Sequence, residues 1–284
     1  MTDYPSIRPE NYYADLGSAE WERLDADPTA RYEFENTLDY LDERLPDSGR
    51  VLDVGGAAGR YAVWLADRGH EVTLADISDV QRDIAREKVA EHGVAERVTV
   101  EHGDVRDLPY DEDAFDAVCC LGGPLSHVVE SLERARAARE LKRVAAPGAP
   151  VFVSVMGLLA VLQQLVQVAH EFEQGARQLP GLRDSGTYDA SLLAEAGVSD
   201  PDFVECHFFR AAELRRLLTE AGLSVDTIAG LEGVAANAGG PLRAASETAM
   251  RHVDAVVTDP EFREDPTVAD CSEHILAVAV ARCR

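Results

Sequence analysis

The sequence predicts an α/β protein with a doubly wound, mostly parallel sheet. Two observations support this fold class. Short β-rich runs alternate with amphipathic helical patterns from residue 50 onward, and a glycine-rich turn, Gly55 to Gly59, follows the first of these runs. Such regular alternation of strand and helix is typical of parallel strands that are joined by helical crossovers.

Seven β-rich runs carry the pattern, and helices with one apolar face separate most of them. The predicted strands are 51–54, 71–76, 98–100, 115–120, 151–155, 223–228 and 274–280. The predicted helices of this region are 59–68, 79–92, 129–145, 211–221 and 242–258. We therefore expect one sheet domain over residues 49–156 and 208–284.

Two further segments flank or interrupt this domain. Residues 1–48 predict an N-terminal helical lid, because apolar and aromatic residues recur at helical spacing over 30–45. Residues 157–207 break the alternation and predict an inserted, mostly helical cap. Its helix is expected over 158–172, before a loop-rich piece that contains Pro180-Gly181.

The acidic composition limits the partners of the chain. Its 284 residues include 52 Asp and Glu against 27 Lys and Arg, a formal net charge of −25. Such a surface repels phosphate backbones, so we expect no nucleic-acid partner. Because 46% of the residues are hydrophobic, we interpret the charge as the surface of a halophilic protein rather than of a disordered one. An ordinary acidic cytosolic protein is the alternative, and stability that does not rise with potassium chloride would favour it.

The cysteines predict neither a disulfide framework nor a metal site. Cys119, Cys120, Cys206, Cys271 and Cys283 form no CxxC pair and no zinc spacing with histidine. The first two lie inside a predicted strand, where we expect buried packing. The N-terminal residues lack a signal peptide's apolar run, and no stretch reaches the roughly 18 apolar residues of a membrane span. We expect a cytoplasmic protein without a membrane partner.

The glycine-rich turn predicts a nucleotide or nucleoside site. In an open parallel sheet, ligands bind beyond the carboxyl ends of the strands, and glycine lets the backbone approach them closely. Gly55, Gly56 and Gly59 lie in this turn, just after Asp53. Asp76 ends the second strand, where a carboxylate can accept hydrogen bonds from both ribose hydroxyls. This pattern fits NAD, FAD and S-adenosylmethionine alike.

Residue spacing disfavours a dinucleotide. The fingerprint GxGxxG needs glycine at positions 55, 57 and 60, but Ala57 and Arg60 stand at two of them. An arginine at the last position hinders close packing of the helix on the strand. The turn instead matches an acidic residue followed by GxGxG, with Ala57 for the middle glycine.

On these residues the chain resembles the class I methyltransferases, and later segments extend the resemblance. These segments are Val72 to Ser78, Gly103-Asp104-Val105, Phe115 to Val118, Leu141 to Ala149, Phe209 to Leu214 and Ala221 to Leu223. The resemblance covers residues 30–155 well and 205–280 loosely. It implies a seven-stranded Rossmann-like sheet of order 3-2-1-4-5-7-6 with an antiparallel last strand. It also implies S-adenosylmethionine as the cofactor, with S-adenosylhomocysteine as its product.

The resemblance further implies which residues bind the methionine and ribose parts of the cofactor. Asp53 would meet the ammonium group directly or through water, Gly55 and Gly59 would admit the methionine part, and Asp76 would hold the ribose. The backbone around Leu121-Gly122 would lie beside the methionine part.

The adenine contacts follow from the same resemblance. Ile77 and Val105 would enclose the ring, and Asp104 would accept from its amino group unless it is only a turn residue. We also expect one or both of Tyr12 and Tyr13 to fold over the cofactor. The predicted cofactor-binding residues are Tyr13, Asp53, Gly55, Gly56, Ala57, Gly59, Asp76, Ile77, Asp104, Val105, Leu121 and Gly122.

His127 is the candidate catalytic residue. It follows the fourth predicted strand, and a histidine with a pKa near 6.5 can take a proton from a hydroxyl or amine acceptor. The alternative is that it caps the helix after Ser126. Other side chains that could close the site are Arg23, Arg31, His170, Tyr188, His207 and Phe208.

The absence of several known motifs limits the classes of methyl acceptor that we expect. The run Leu121-Gly122-Gly123-Pro124 replaces the [N/D]-P-P-[Y/F] motif of base-amine methyltransferases, and Gly122 supplies no carboxylate for magnesium. No Pro-Cys nucleophile is present. We therefore expect a small-molecule acceptor that is methylated on oxygen, nitrogen or carbon, and no metal. An NAD-dependent oxidoreductase and a non-catalytic cofactor-binding module stay open as alternatives, and the oligomeric state is left open as well.

Overall fold

The structure, a computed structural model, describes residues 4–199, 201 and 203–282, so Cys283 lies outside the described residues. The chain forms a seven-stranded sheet. Its strands are β1 (Arg50–Val54), β2 (Glu71–Asp76), β3 (Val98–His102), β4 (Ala117–Cys120), β5 (Pro150–Met156), β8 (Leu223–Gly230) and β9 (His274–Ala281). Two short strands, β6 (Thr187–Tyr188) and β7 (Cys206–His207), pair with each other in a separate sheet.

The strand order confirms the predicted topology. The large sheet has the order β3-β2-β1-β4-β5-β9-β8, which is 3-2-1-4-5-7-6 when only its own strands are counted. The first five strands of this order are parallel, and β9 is antiparallel to both β5 and β8. The carboxyl ends of β1, β2 and β4 therefore meet at one edge of the sheet, where such folds bind their ligands.

Helices cover both faces of the sheet and form the segments outside it. They are α1 (Pro9–Leu16), α2 (Ala19–Glu22), α3 (Pro28–Arg44), α4 (Arg60–Asp67), α5 (Asp79–Glu91), α6 (Ser131–Val144), α7 (Leu158–Gln167), α8 (Glu173–Ser185), α9 (Ala190–Ala196), α10 (Ala211–Glu220), α11 (Gly239–Arg243), α12 (Glu247–Val257), α13 (Pro260–Arg263) and α14 (Pro266–Cys271). Local sequence explains several of their starts. Asp27 accepts hydrogen bonds from the backbone of Thr29 and Ala30 at the start of α3, and Ser78 accepts from Gln81 at the start of α5.

Alternating strand residues divide the core into two layers. Leu52, Cys120 and Val153 pack with α6 and α10, whereas Cys119 and Phe152 pack with α3, α4 and α5 on the other face. This division follows from the two-residue period of a strand, and both cysteines are fully buried as predicted. The apolar helix faces and the sheet thereby exclude water together.

The helices of residues 157–207 differ from the predicted ones in two respects. Pro180 and Gly181 lie inside α8 rather than in a loop. Proline removes only one helical hydrogen bond, and the close packing of Gly181 against Leu192 of α9 favours the continued helix. α7 ends at Gln167, five residues before the predicted end, because the chain turns there to begin α8.

Three other regions also depart from the predictions. The N-terminal segment contains an additional helix, α1, and the predicted helix over 242–258 is divided, since Ser246 caps a new helix start at Glu247. β4 begins at Ala117 rather than at residue 115, although Phe115 still forms an isolated bridge with Ala145. No helix among the described residues has the length and apolarity to cross a membrane.

Candidate active site

The turn after β1 brings the glycines of the first motif to the carboxyl edge of the sheet. Gly55 has a φ of +70°, and its N–H donates to the Ala75 carbonyl over 2.7 Å. A β-carbon at this position would lie 2.3 Å from Pro124, so the absence of a side chain also lets the loop after β4 pack on the turn. Ala57 tolerates a φ of +44° in the same turn. The turn is therefore constrained by its neighbours as well as by any ligand.

Asp53 lies behind this turn with an uncompensated charge. Its side chain is fully buried, and neither carboxylate oxygen accepts a hydrogen bond of regular geometry from the described residues. Burial, together with the negative charge of Asp76, raises the pKa of Asp53 to about 7, although the backbone N–H of Ala62 opposes this shift. A buried carboxylate of this kind is stabilised by a cation nearby.

Asp76 ends β2 and organises the backbone around the site. One of its oxygens accepts from the Ala57 N–H over 2.9 Å and the other from the Ser78 N–H over 2.8 Å. Burial raises the pKa of Asp76 while these two hydrogen bonds lower it. Each oxygen keeps a second lone pair that can accept a hydroxyl from a ligand.

These residues surround a cavity of about 370 Å³, which we call the first cavity. Ten of the twelve predicted cofactor-binding residues line it, and so does His127. They are Tyr13, Gly55, Gly56, Ala57, Asp76, Ile77, Asp104, Val105, Leu121 and Gly122. Asp53 and Gly59 are not in its lining. Gly59 instead precedes α4 with a φ of +87° and packs against Leu74 and Ala85.

Two predicted adenine contacts are apolar, and the third is polar. Ile77 is 38% exposed, which is unusual for isoleucine, and it lines the first cavity together with the nearly buried Val105. Asp104 also lines this cavity, and it accepts from the backbone N–H of Arg106 in a local turn, so neither of its two predicted roles is decided. The Arg106 side chain also bonds Asp104 and, together with the local hydrogen bonds, lowers the pKa of that carboxyl against the effect of burial.

Tyr13 of α1 reaches His127 across the first cavity. The Nδ1 of His127 lies 3.1 Å from the Glu205 carbonyl oxygen, which can only accept, so Nδ1 carries the proton. The Nε2 is then the acceptor for the Tyr13 hydroxyl, 2.9 Å away. Gln81 of α5 also donates to the Tyr13 carbonyl over 2.6 Å. These hydrogen bonds link α1 to α5 and to the segment after β4.

His127 lacks the basicity expected from the sequence. Burial lowers its pKa to about 4, although the Glu205 carbonyl raises it, so the imidazole is neutral at pH 7. The alternative role as a helix cap is also not observed. His127 ends a short 3-10 turn, Pro124–His127, and the next helix begins only at Ser131. Its two ring nitrogens instead connect α1 to the chain before β7.

A second cavity of about 530 Å³ lies beside the first, between the sheet edge and the cap. Tyr13, Glu20, Arg23 and Gly122 line both cavities. Most of the second lining is apolar or aromatic and comes from α1, α7, α8 and the chain before α10. Besides Tyr13, its apolar and aromatic members are Tyr12, Leu16, Met156, Ala160, Val161, Leu165, Val168, Phe172, Leu182, Tyr188, Phe203, Val204 and Phe208.

Ion pairs close the polar end of the second cavity. Arg23 bonds Glu33 over 2.6 Å and Glu20 over 3.0 Å, while His274 bonds Glu232 over 2.7 Å. Burial opposes the charged form of His274, but Glu33 and Glu232 outweigh it and raise the pKa to about 9. Glu33, Glu232 and His274 have donor atoms within 4.8 Å of one another, a spacing that could hold a metal ion. These atoms are already engaged by Arg23, Ser272 and each other.

The structure separates the other predicted closing residues into two groups. Tyr12, Arg23, Tyr188 and Phe208 line a cavity, whereas Arg31, His170 and His207 do not. His207 bonds Glu213 and Thr187 instead. The sequence interpretation missed the carboxyl groups Glu20, Glu205 and Glu273 and the imidazole of His274. Because these residues are far apart in the sequence, no local motif identified them.

Comparisons with known proteins agree on one family. A model of the methyltransferase domain matches residues 51–148. The chain is 35% identical to methyltransferase GfsG of Streptomyces halstedii over 117 residues, which are 40% of this chain and 41% of GfsG. It is 31% identical to a ubiquinone biosynthesis O-methyltransferase of Xylella fastidiosa over 196 residues, 68% of this chain and 69% of that enzyme.

A solved structure extends the likeness in fold to the whole chain. The CcbJ methyltransferase from Streptomyces caelestis superposes with a TM-score of 0.63 at 19% sequence identity, covering 99% of this chain and 100% of that one. The sequence relatives decide against the NAD-dependent oxidoreductase. The chain belongs to the class I methyltransferases, a family of enzymes that use S-adenosylmethionine.

Proposed function

We propose that this enzyme transfers the methyl group of S-adenosylmethionine, bound in the first cavity, to a small molecule bound in the second. One observation carries the proposal. Tyr13, Glu20, Arg23 and Gly122 line both cavities, so a group at their boundary contacts the contents of both. Methyl transfer requires such contact, because the acceptor atom must approach the methyl carbon in line with the bond that breaks.

The residues of the first cavity fit this cofactor chemically. Asp53 supplies a buried negative charge for the ammonium group, and Asp76 retains acceptor capacity for ribose hydroxyls. Ile77 exposes an apolar surface to an aromatic ring. When bound, S-adenosylmethionine supplies an activated methyl group on a sulfonium. We assign cofactor binding to the ten lining residues, with Asp53 acting from behind the turn.

Tyr13 and His127 would serve to align the ligands and exclude water. Because His127 is neutral and already accepts the Tyr13 hydroxyl, it is a weak base. Its proposed role is to hold Tyr13 over the boundary between the cavities. A fixed aromatic ring there keeps water from the reacting atoms and restricts the acceptor to a near-attack position.

The cap would determine which acceptor is used. Residues 157–207 contribute Val161, Leu165, Phe172 and Leu182 to the second cavity, so an acceptor with apolar surface gains free energy when it binds there. In this proposal residues 1–48 act as the lid. The sheet domain, 49–156 and 208–284, supplies the cofactor site.

A methyl-transfer assay with a cell metabolite extract tests the proposed function. With S-adenosylmethionine labelled in its methyl group, we expect label to appear in one or few small molecules. The variant Val161→Trp should fill the second cavity, abolish this transfer and leave the affinity for S-adenosylhomocysteine unchanged. Transfer that persists in Val161→Trp would place the acceptor elsewhere, and no transfer by the unmodified protein would support the non-catalytic alternative.

A further inference from the structure

The polar end of the second cavity contains more carboxyl groups than basic groups. Glu20 and Glu273 line the second cavity, and Glu33 and Glu232 lie directly behind it. Arg23 and His274 are the only basic side chains among the described residues of its lining. Arg23 pairs with Glu33, and His274 pairs with Glu232, so both positive charges are matched before Glu20 and Glu273 are counted.

Glu20 also has an oxygen that nothing in the described structure satisfies. Its side chain is only 10% exposed, and its Oε1 accepts from the Nε of Arg23 over 3.0 Å. Its Oε2 is buried without a hydrogen-bond partner among the described residues. A buried acceptor of this kind is costly unless a donor reaches it. Since Glu20 lines both cavities, a ligand at their boundary can supply that donor.

We propose that the methyl acceptor is an amine with an apolar body, and that Glu20 is the catalytic residue that takes the proton from its nitrogen. This inference rests on the proposed function and names the substrate class of that site. A cationic nitrogen offsets the excess of carboxyl groups and donates to the free oxygen of Glu20. The remaining lining, from Val161 to Phe208, accommodates the apolar body.

The protonation of the carboxyl groups agrees with an amine ligand. Burial raises the pKa of Glu20, and its effect is partly offset by Arg23. Burial and the nearby Glu232 raise the pKa of Glu273 to about 7. Burial is the largest cause of both shifts, and a bound ammonium group would oppose them.

The reaction balances with Glu20 as the only added base. The ammonium nitrogen of the acceptor gives a proton to the Oε2 of Glu20 and becomes a neutral amine. The nitrogen lone pair forms the new bond to the methyl carbon, while the sulfur–carbon bond breaks and its electron pair stays on sulfur. The methylated product carries the positive charge away, and Glu20 releases its proton to water.

Binding of three probes tests the substrate class. Decylamine, decanol and decanoate share one apolar chain, and each is titrated by calorimetry into the protein saturated with S-adenosylhomocysteine. We expect decylamine to bind about tenfold or more tightly than decanol, because hydrogen bonds to charged groups are the stronger ones, and decanoate to bind most weakly. Decylamine that binds no better than decanol, or that accepts no label from S-adenosylmethionine, overturns the amine inference.

The variant Glu20→Gln tests the role of the carboxyl group. Glutamine keeps an oxygen for the Nε of Arg23 but cannot take a proton. We expect methyl transfer to decylamine to fall by about 10² to 10⁴, while the affinity for S-adenosylhomocysteine stays the same. Glu22→Gln, an exposed position on the same helix outside both cavities, should behave as the unmodified protein.

A pH profile separates a proton acceptor from a merely structural residue. The charged and titratable groups around Glu20 are Tyr13, Arg23, Glu33 and Asp76. We expect kcat/KM for decylamine to decrease at low pH as Glu20 becomes protonated, and this decrease should vanish in Glu20→Gln. An unchanged rate or an unchanged profile in the variant overturns the assignment. Failure to bind S-adenosylhomocysteine would instead contradict the proposed function itself.

Discussion

The two cavities differ in how the sequence builds them. Most of the first cavity comes from short segments at the carboxyl ends of strands, such as 54–58 at the end of β1 and 76–78 at the end of β2. The second cavity joins residues from Tyr12 to His274, which come mostly from the N-terminal segment, from residues 156–208 and from the end of the chain. The difference teaches that the first cavity is encoded locally, while the second depends on the packing of distant segments.

The cavities also differ in their polar groups. Beside the first, Asp53 and Asp76 are two buried carboxyl groups that no basic side chain of the described residues bonds. At the polar end of the second, Arg23 and His274 are ion-paired with Glu33 and Glu232. The first is therefore bordered by buried carboxyl groups that have no ion-pair partner among the described residues, whereas the second combines two ion pairs, the further carboxyl groups of Glu20 and Glu273, and a large apolar surface.

The largest effect is expected from a substitution in the turn after β1, which forms part of the first cavity. Gly55→Ala places a β-carbon 2.3 Å from Pro124 at a φ of +70°. We expect a loss of about 2–5 kcal/mol in the free energy of unfolding, of which about 1–2 kcal/mol comes from the backbone and about 1–3 kcal/mol from overpacking. Chemical denaturation measures this loss of free energy of unfolding.

Gly69→Ala is the matched control for this change. Gly69 has a φ of +95°, but a β-carbon there meets nothing within 4 Å. Only the backbone cost of about 1–2 kcal/mol should remain. Equal losses for Gly55→Ala and Gly69→Ala would show that the contact with Pro124 contributes nothing.

The second effect concerns the charge beside the first cavity. Asp76→Asn removes the negative charge while retaining the shape of the side chain. We expect the affinity for S-adenosylhomocysteine to fall about tenfold to hundredfold, since hydrogen bonds to charged groups contribute about 1.5–3 kcal/mol. Calorimetry measures this change. Asp83→Asn, an exposed position on α5, should leave the affinity unchanged, and an unaffected Asp76→Asn would contradict the assignment of Asp76 to the ribose.

The smallest effect concerns the helix that the two cavities share. Tyr13→Phe removes the hydroxyl that donates to the Nε2 of His127. We expect about 1 kcal/mol of lost affinity for S-adenosylhomocysteine, close to a fivefold change. The double variant with His127→Ala should lose less than the sum of the two single changes. Tyr110→Phe, outside both cavities, is the control, and additive losses would mean that Tyr13 and His127 act independently.

The sequence predicted the sheet and most of the first cavity because both depend on local patterns. Strand and helix periods identified the seven strands, and the resemblance supplied their order. The turn at Gly55 and the carboxylate of Asp76 were recognisable from their positions at strand ends. Glycine there lets the backbone approach a ligand, and aspartate there can accept hydrogen bonds from a ribose. The sequence did not reveal that Asp53 and Gly59 support the cavity wall from outside.

The second cavity could not be predicted in the same way. Glu20 and His274 belong to no sequence motif. Among the described residues, they are connected only through Arg23 and Glu33, which lie between them in the fold. The low pKa of His127 likewise results from burial that only the tertiary structure creates. The halophilic interpretation of the net charge of −25 stays a prediction, as does the division into lid, sheet domain and cap.

Helix α1 has a thermodynamic consequence for how the two ligands bind. Residues 8–10 and Tyr13 contact the first cavity, and Tyr12, Tyr13 and Leu16 contact the second. Ordering α1 has a free-energy cost that is met when the cofactor binds. Binding of the acceptor to the same ordered helix does not incur this cost again. We expect positive cooperativity between the two ligands, and linkage makes it equal in both directions: the acceptor must tighten the cofactor by the same factor.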